Sequence, residues 1–133
     1  MTDDVMKKEI IATQEAPQAI GPYSQAVRIG DLVFLSGQIP LDPRSGQMVA
    51  GDVSEQTRRV MENLGAVLRA AGVDFSRVLR STIYLLDLAQ FGEVNAVYGS
   101  YFPTEPPARA TVQVAALPRG ASIEIDMIAY AGA

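Results

Sequence analysis

A chain of 133 residues suits one hydrophobic core, and 48% hydrophobic with 20% charged residues reads as globular rather than disordered. The net charge of −4 lacks the basic footprint of a general nucleic-acid binder. Without a histidine or a cysteine, imidazole catalysis, thiolate nucleophiles, disulfides and thiolate metal sites are excluded. Lys7 and Lys8 are the only lysines, which argues against a pyridoxal phosphate enzyme with an internal Schiff base. No apolar run reaches membrane-spanning length, and the acidic, polar start is unlike a secretory signal, so the expected location is the cytoplasm. Neither a linker nor a repeat breaks the chain, and residues 1–133 are expected to form a single domain.

Residues 6–12 carry a weak strand pattern. Segments 25–29 and 32–36 flank Gly30-Asp31, a two-residue hairpin signal, because glycine supplies the positive φ such turns need. Pro40, Pro43, Gly46 and Gly51 mark the following stretch as a loop. Asp52 is placed to cap a helix, with Glu55 at the capping-box spacing. Val53, Val60, Leu64, Val67, Leu68 and Ala71 then form one apolar stripe, and Gly72 ends it. Residues 78–86 predict a strand that is apolar on both faces. Asp87 and Gln90 can open a second helix whose apolar face is Phe91, Val94, Tyr98 and Tyr101, stopped by Pro103. Strands at 109–115 and 122–130 close the chain, joined by the loop Leu117-Pro118-Arg119-Gly120-Ala121 and read as a hairpin.

The order β-β-β-α-β-α-β-β, with one stripe per helix, predicts an α+β layer structure. Two helices cover one face of a six-stranded mixed sheet. The opposite face is left uncovered, and an uncovered apolar face implies an oligomer with candidate site residues at subunit interfaces.

Arg109 follows two prolines and opens a strand, where its guanidinium presents a rigid fork suited to a carboxylate. In an odd hairpin register Arg109 would share a face with Glu124, with Thr111 between them. That pair is either an acid-binding pocket or an exposed cross-strand ion pair of little worth. A Glu124 beside a guanidinium would stay anionic and lose basicity. Tyr23, in the turn from Ile20 to Gln25, either presents its hydroxyl to a cleft or packs at a strand edge. Ser36-Gly37 ends a strand where a ligand can approach the backbone, or is a plain terminator. Asn95 interrupts an apolar helical stretch and faces either a pocket or solvent. No GxGxxG, P-loop or metal-ligand spacing is present.

Several separated blocks occur in one order: Ala19-Ile20-Gly21-Pro22-Tyr23-Ser24-Gln25-Ala26, Phe34-Leu35-Ser36-Gly37-Gln38-Ile39-Pro40, Asn63-Leu64 with Ala70-Ala71-Gly72, and Val94-Asn95-Ala96-Val97-Tyr98. The closing block is Pro107-Ala108-Arg109-Ala110-Thr111-Val112-Gln113-Val114-Ala115-Ala116-Leu117-Pro118 with Ile123-Glu124-Ile125. Together they make the chain resemble the Rid (YjgF) family of reactive intermediate deaminases over nearly its whole length. The resemblance implies a chorismate-mutase-like α+β fold and a homotrimer, a barrel assembly with three clefts between subunits. It implies hydrolysis of 2-imino acids and their enamine tautomers, such as 2-aminoacrylate and 2-iminobutanoate, to 2-oxo acids and ammonia, with no cofactor or metal. It assigns the substrate carboxylate to Arg109, the water to Glu124, and the cleft lining to Tyr23, Ser36, Gly37 and Asn95. Many members of the deaminase subgroup carry cysteine at the position of Thr111, where the backbone is the important contact. Two other readings stay open: a trimer that binds small carboxylic acids without turnover, and a deaminase of a larger intermediate of aminomuconate or pyrimidine breakdown. An endoribonuclease, an activity attached to some relatives, fits the acidic charge and missing histidine least well.

Overall fold

The computed structural model describes residues 6–132. The strands are β1 Glu9–Ile11, β2 Ala26–Ile29, β3 Leu32–Gln38, β4 Val78–Leu85, β5 Ala108–Gln113 and β6 Ile123–Tyr130, and the helices are α1 Val53–Ala70 and α2 Phe91–Gly99. Gly30 turns the β2–β3 hairpin at φ 58°, a conformation that suits glycine. Asp52 caps α1 by accepting from the Glu55 N–H at 3.0 Å, and Gly72 leaves the helix at φ 83°. The second helix begins later than the sequence suggests. Asp87 caps a short 3-10 turn over Leu88–Gln90, and α2 follows it and ends before Tyr101.

The six strands form one mixed sheet in the order β1-β2-β3-β6-β4-β5, in which only the β4–β5 pair is parallel. The expected hairpin of the last two strands is therefore not formed. β5 lies at the edge against β4, and β6 crosses back to insert between β3 and β4. The burial of each strand accounts for this. Ile123, Ile125, Met127 and Ala129 of β6 are all buried, as a central strand requires, whereas β5 carries Arg109, Thr111 and Gln113 and follows two prolines, as befits an edge.

The helices cover one face. Val60, Met61, Leu64, Val67 and Leu68 of α1 pack with Val94 and Tyr98 of α2 over Val33, Leu35, Ile83, Leu85, Ile123 and Ile125 of the strands. At about 25 cal/mol per Å² of apolar surface removed from water, this layer is the main stabilising term. The other face is open, and Ile10, Ile29, Leu32, Phe34, Val112 and Tyr130 stay exposed on it. In β4 the open-face positions are Arg80, Thr82 and Tyr84, so the strand is not apolar on both faces as expected, and the apolar patch comes mainly from β1, β2, β3 and the end of β6.

Candidate functional site

Register decides where each candidate side chain points. Arg109 pairs with Ser81 across the parallel β4–β5 ladder, and Ser81 is fully buried under α2, so Arg109, Thr111 and Gln113 face the helix layer. Glu124 pairs with Tyr84 on the open face. The two residues thus lie on opposite sides of the sheet in one chain, and the expected shared face is corrected. With β4 between them and no β5–β6 hairpin, the parity argument for a joint pocket within one chain falls.

The helix-side hollow holds Arg109 firmly. Its Nη1 donates to Asn95 Oδ1 at 2.6 Å, and its Cζ lies over the rings of Phe91 (5.3 Å) and Tyr98 (5.2 Å). Phe91, Asn95 and Tyr98 recur at the spacing of one helix face, which brings all three to the same guanidinium. Tyr98 is anchored in turn, donating its hydroxyl to Ser81 Oγ at 2.9 Å in the core. Burial raises the Tyr98 pKa, and the Ser81 bond and the Arg109 charge oppose that rise. The hollow measures about 430 Å³, with Asn95, Tyr98, Phe102, Pro107 and Arg109 on its walls. Arg109 has no carboxylate partner, since the one ion pair among the described residues joins Arg69 to Glu15. Two residues along the same strand face, Thr111 Oγ1 is the one buried side-chain oxygen or nitrogen among the described residues with no hydrogen-bond partner.

The open-face cavity is built differently. Gly37 lies where the β3–β6 ladder shifts register between Leu35 and Gln38. A Cβ on Gly37 would collide with the Glu124 carboxylate, its distance to Glu124 Cδ being 2.9 Å. Only glycine lets the carboxylate lie against the backbone there. Glu124 is half-buried, and its pKa is raised, first by desolvation and then by the neighbouring Asp126. Within one chain Arg109 lies on the opposite face of the sheet, so the lowering expected from it does not arise there. Asp126 itself accepts from the Tyr84 hydroxyl at 3.0 Å. Tyr23, 52% exposed, stands on the same cavity of about 360 Å³, with Ile39, Leu41 and Arg119 on its walls.

Ser36 is not on that wall. Its hydroxyl donates to the Ser24 carbonyl at 2.5 Å and ties β3 to the segment that carries Tyr23. The predicted residues therefore fall into two groups: Tyr23, Gly37 and Glu124 around one cavity, Asn95, Arg109 and Thr111 on the helix side. The sequence reading passed over Phe91 and Tyr98 as the platform of Arg109, although their spacing with Asn95 carried the signal. Arg119 had no signal in the sequence. Among the described residues no group of three Asp or Glu could hold a metal ion, and no helix is long and apolar enough to cross a membrane.

A six-stranded mixed sheet with two helices on one face is the chorismate-mutase-like fold of solved L-PSP and Rid proteins. The chain belongs to the Rid (YjgF) family, and its residues 13–131 match the family described as Endoribonuclease L-PSP. It is 62% identical to Protein DfrA of Myxococcus xanthus over 93% of this chain and 96% of that one. It is 50% identical to the mouse protein named 2-iminobutanoate/2-iminopropanoate deaminase, over 94% of this chain and 93% of that one. The solved structure of E. coli TdcF with bound serine superposes with a TM-score of 0.89 at 42% identity, covering 93% of this chain and 99% of that one. Deamination of 2-iminobutanoate and 2-iminopropanoate is thus the activity that relatives at about half identity are named for.

Proposed function

We propose that the protein hydrolyses 2-imino acids and their enamine tautomers, such as 2-iminobutanoate and 2-aminoacrylate, to 2-oxo acids and ammonia. The observation that carries this is the pinned guanidinium of Arg109, held by Asn95, Phe91 and Tyr98 with no carboxylate of its own. Such a cation is a preorganised holder for a substrate carboxylate. Thr111 Oγ1 beside it is a polar atom with no protein partner within the chain.

Glu124 supplies the second half of the chemistry. An imine carbon is already electrophilic, so the reaction needs one oriented water and one proton acceptor. Water oxygen bonds to C2 as the C=N π pair moves to nitrogen, while Glu124 takes one water proton and delivers it to that nitrogen. The C2–N bond then breaks as the new hydroxyl gives its proton, through Glu124, to the departing nitrogen, and a 2-oxo acid and ammonia leave. A carboxyl pKa moved upward by burial suits both proton steps better than an ordinary glutamate. Neither a cofactor nor a covalent intermediate enters this sequence.

Because Arg109 and Glu124 occupy opposite faces of one sheet, a complete cleft needs two copies of the chain. The apolar open face supports such an assembly, with Ile10, Leu32 and Phe34 as groups to be buried between copies. A homotrimer closes the arrangement, with the Arg109 hollow of each copy against the Glu124 cavity of the next. An RNA-cleaving role is disfavoured by the charge of −4 and the lack of any histidine.

The test is hydrolysis of 2-iminobutanoate made in situ by a threonine dehydratase. Wild type should accelerate it, and Arg109→Ala and Glu124→Gln should each lose on the order of 10²–10⁴-fold, the range of a lost acid–base or positioning group. Equal rates for wild type and both variants would overturn the proposal.

A further inference from the structure

The cavity beside Glu124 contains a feature that imine hydrolysis does not use. We propose that Arg119 forms a second anion subsite, which adapts the cleft to 2-imino acids with a second carboxylate on the side chain. The inference rests on the activity proposed above and adds a substrate class to it.

Three observations converge. Arg119 is the single cation on the wall of that cavity, where Pro17, Ile20, Ile39, Leu41 and Pro118 stand beside Gln18, Tyr23, Gln38 and Glu124. A volume of about 360 Å³ compares with the roughly 30 Å³ that a water occupies in the liquid, so a side chain longer than methyl or ethyl has room. Second, the Arg119 backbone is left-handed, at φ 56° and ψ 25°, between Pro118 and Gly120. That region is unfavourable for a residue with a Cβ, and such strain gathers at functional positions. The turn itself asks only for the bonds from Gly120 N–H to Leu117 O and from Ala121 N–H to Pro118 O, which glycine at 119 would make equally well. The side chain, not the turn, is the reason for an arginine. Third, the guanidinium is tethered but not neutralised. Nη1 donates to the Gly46 carbonyl at 3.1 Å, which fixes the group at the rim and leaves its other donors free. No described carboxylate pairs with it.

A tethered, exposed guanidinium on the cavity wall, with no carboxylate paired to it, selects for an anion there. With the α-carboxylate on the Arg109 of one copy and the imine carbon near Glu124 of the next, the far end of the substrate meets Arg119. The class that satisfies all three is the imine of an acidic amino acid, R–C(=NH)–COO⁻ with R ending in a carboxylate. Hydrolysis consumes one water and yields the dicarboxylic 2-oxo acid and ammonia. A reaction supplying this substrate would be a two-electron oxidation of an acidic amino acid at its C–N bond.

The experiment compares acidic and neutral members in the same assay. Imines are generated in situ by amino-acid oxidases from glutamate and from 2-aminobutanoate, and the binding of the products 2-oxoglutarate and 2-oxobutanoate is measured by calorimetry. Wild type should favour the acidic member in both kcat/KM and affinity, and Arg119→Gln should reduce that preference about tenfold, the scale of one hydrogen bond to a charged group. Arg119→Gly should reduce it equally while melting no lower than wild type, since glycine relieves the backbone; this separates the side chain's role from the fold. No acidic preference in wild type, or a preference that survives both variants, overturns the subsite. A wild type that hydrolyses neither imine overturns the activity itself, whereas turnover of both without preference overturns only the subsite.

Discussion

The two halves of the candidate site hold their key groups in different ways. On the helix side, Arg109 is fixed by side chains: an amide oxygen at 2.6 Å and two aromatic rings, one of them anchored in the core through Ser81. On the open face, Glu124 is set by a missing side chain, because only glycine at position 37 gives its carboxylate room. Packing tolerates partial loss, since each of several contacts carries part of the burden. A steric allowance is lost with one added carbon, and the carboxylate must then move. The first half should therefore degrade in steps under substitution, and the second should lose its geometry at one methyl group.

Gly37→Ala is expected to have the larger effect. A Cβ there collides with Glu124, and a displacement of about 1 Å at a reacting group costs on the order of 10²-fold in kcat. Steady-state kinetics with 2-iminobutanoate checks this, and a Gly37→Ala enzyme of wild-type kcat would break the contrast between the halves. Asn95→Ala removes one of three restraints on Arg109 and should raise KM by roughly tenfold or less, the net worth of a hydrogen bond to a charged group. A KM effect larger than the kcat effect sharpens the contrast, because it places Arg109 in binding.

The smallest expected effect is on stability. The folded-state pKa of Glu124 lies above its ordinary value of 4.5 because of burial and Asp126. A group raised in this way favours the fold while protonated. Its contribution is fully present below about pH 4.5 and is lost as the pH rises through the elevated folded value. Glu124→Gln, permanently neutral, should therefore melt slightly higher than wild type at pH 7 and match it near pH 4. Half-exposure keeps the difference small. Melting curves at the two pH values read it directly, and a variant that melts lower at pH 7 contradicts the cause assigned to the shift.

Much of this frame was legible in the residues. Gly30 announced the β2–β3 turn, and Asp52, Glu55 and Gly72 bracketed α1 because caps and stripes are local. The stripe rule also gave two helices on one face and left the other bare. What escaped was relational. Alternation fixes which residues of a strand share a face, but it does not name the neighbouring strand, so β5 and β6 were read as a hairpin although β6 lies between β3 and β4. Only in such a hairpin, and in an odd register, would Arg109 and Glu124 share a face. The Gly37 contact and the left-handed Arg119 were equally hidden, since both depend on where distant backbone passes. The candidates could therefore be nominated one by one from the residues, but not their placement on two faces of the sheet.

That division is the central claim, and subunit mixing tests it. Arg109→Ala and Glu124→Gln chains, each nearly inactive alone, are unfolded together in equal amounts and reassembled. If every cleft takes Arg109 from one copy and Glu124 from its neighbour, chance pairing leaves about a quarter of the clefts intact in a closed ring, and about a quarter of wild-type activity returns. Activity no greater than the mean of the two variants would contradict the account.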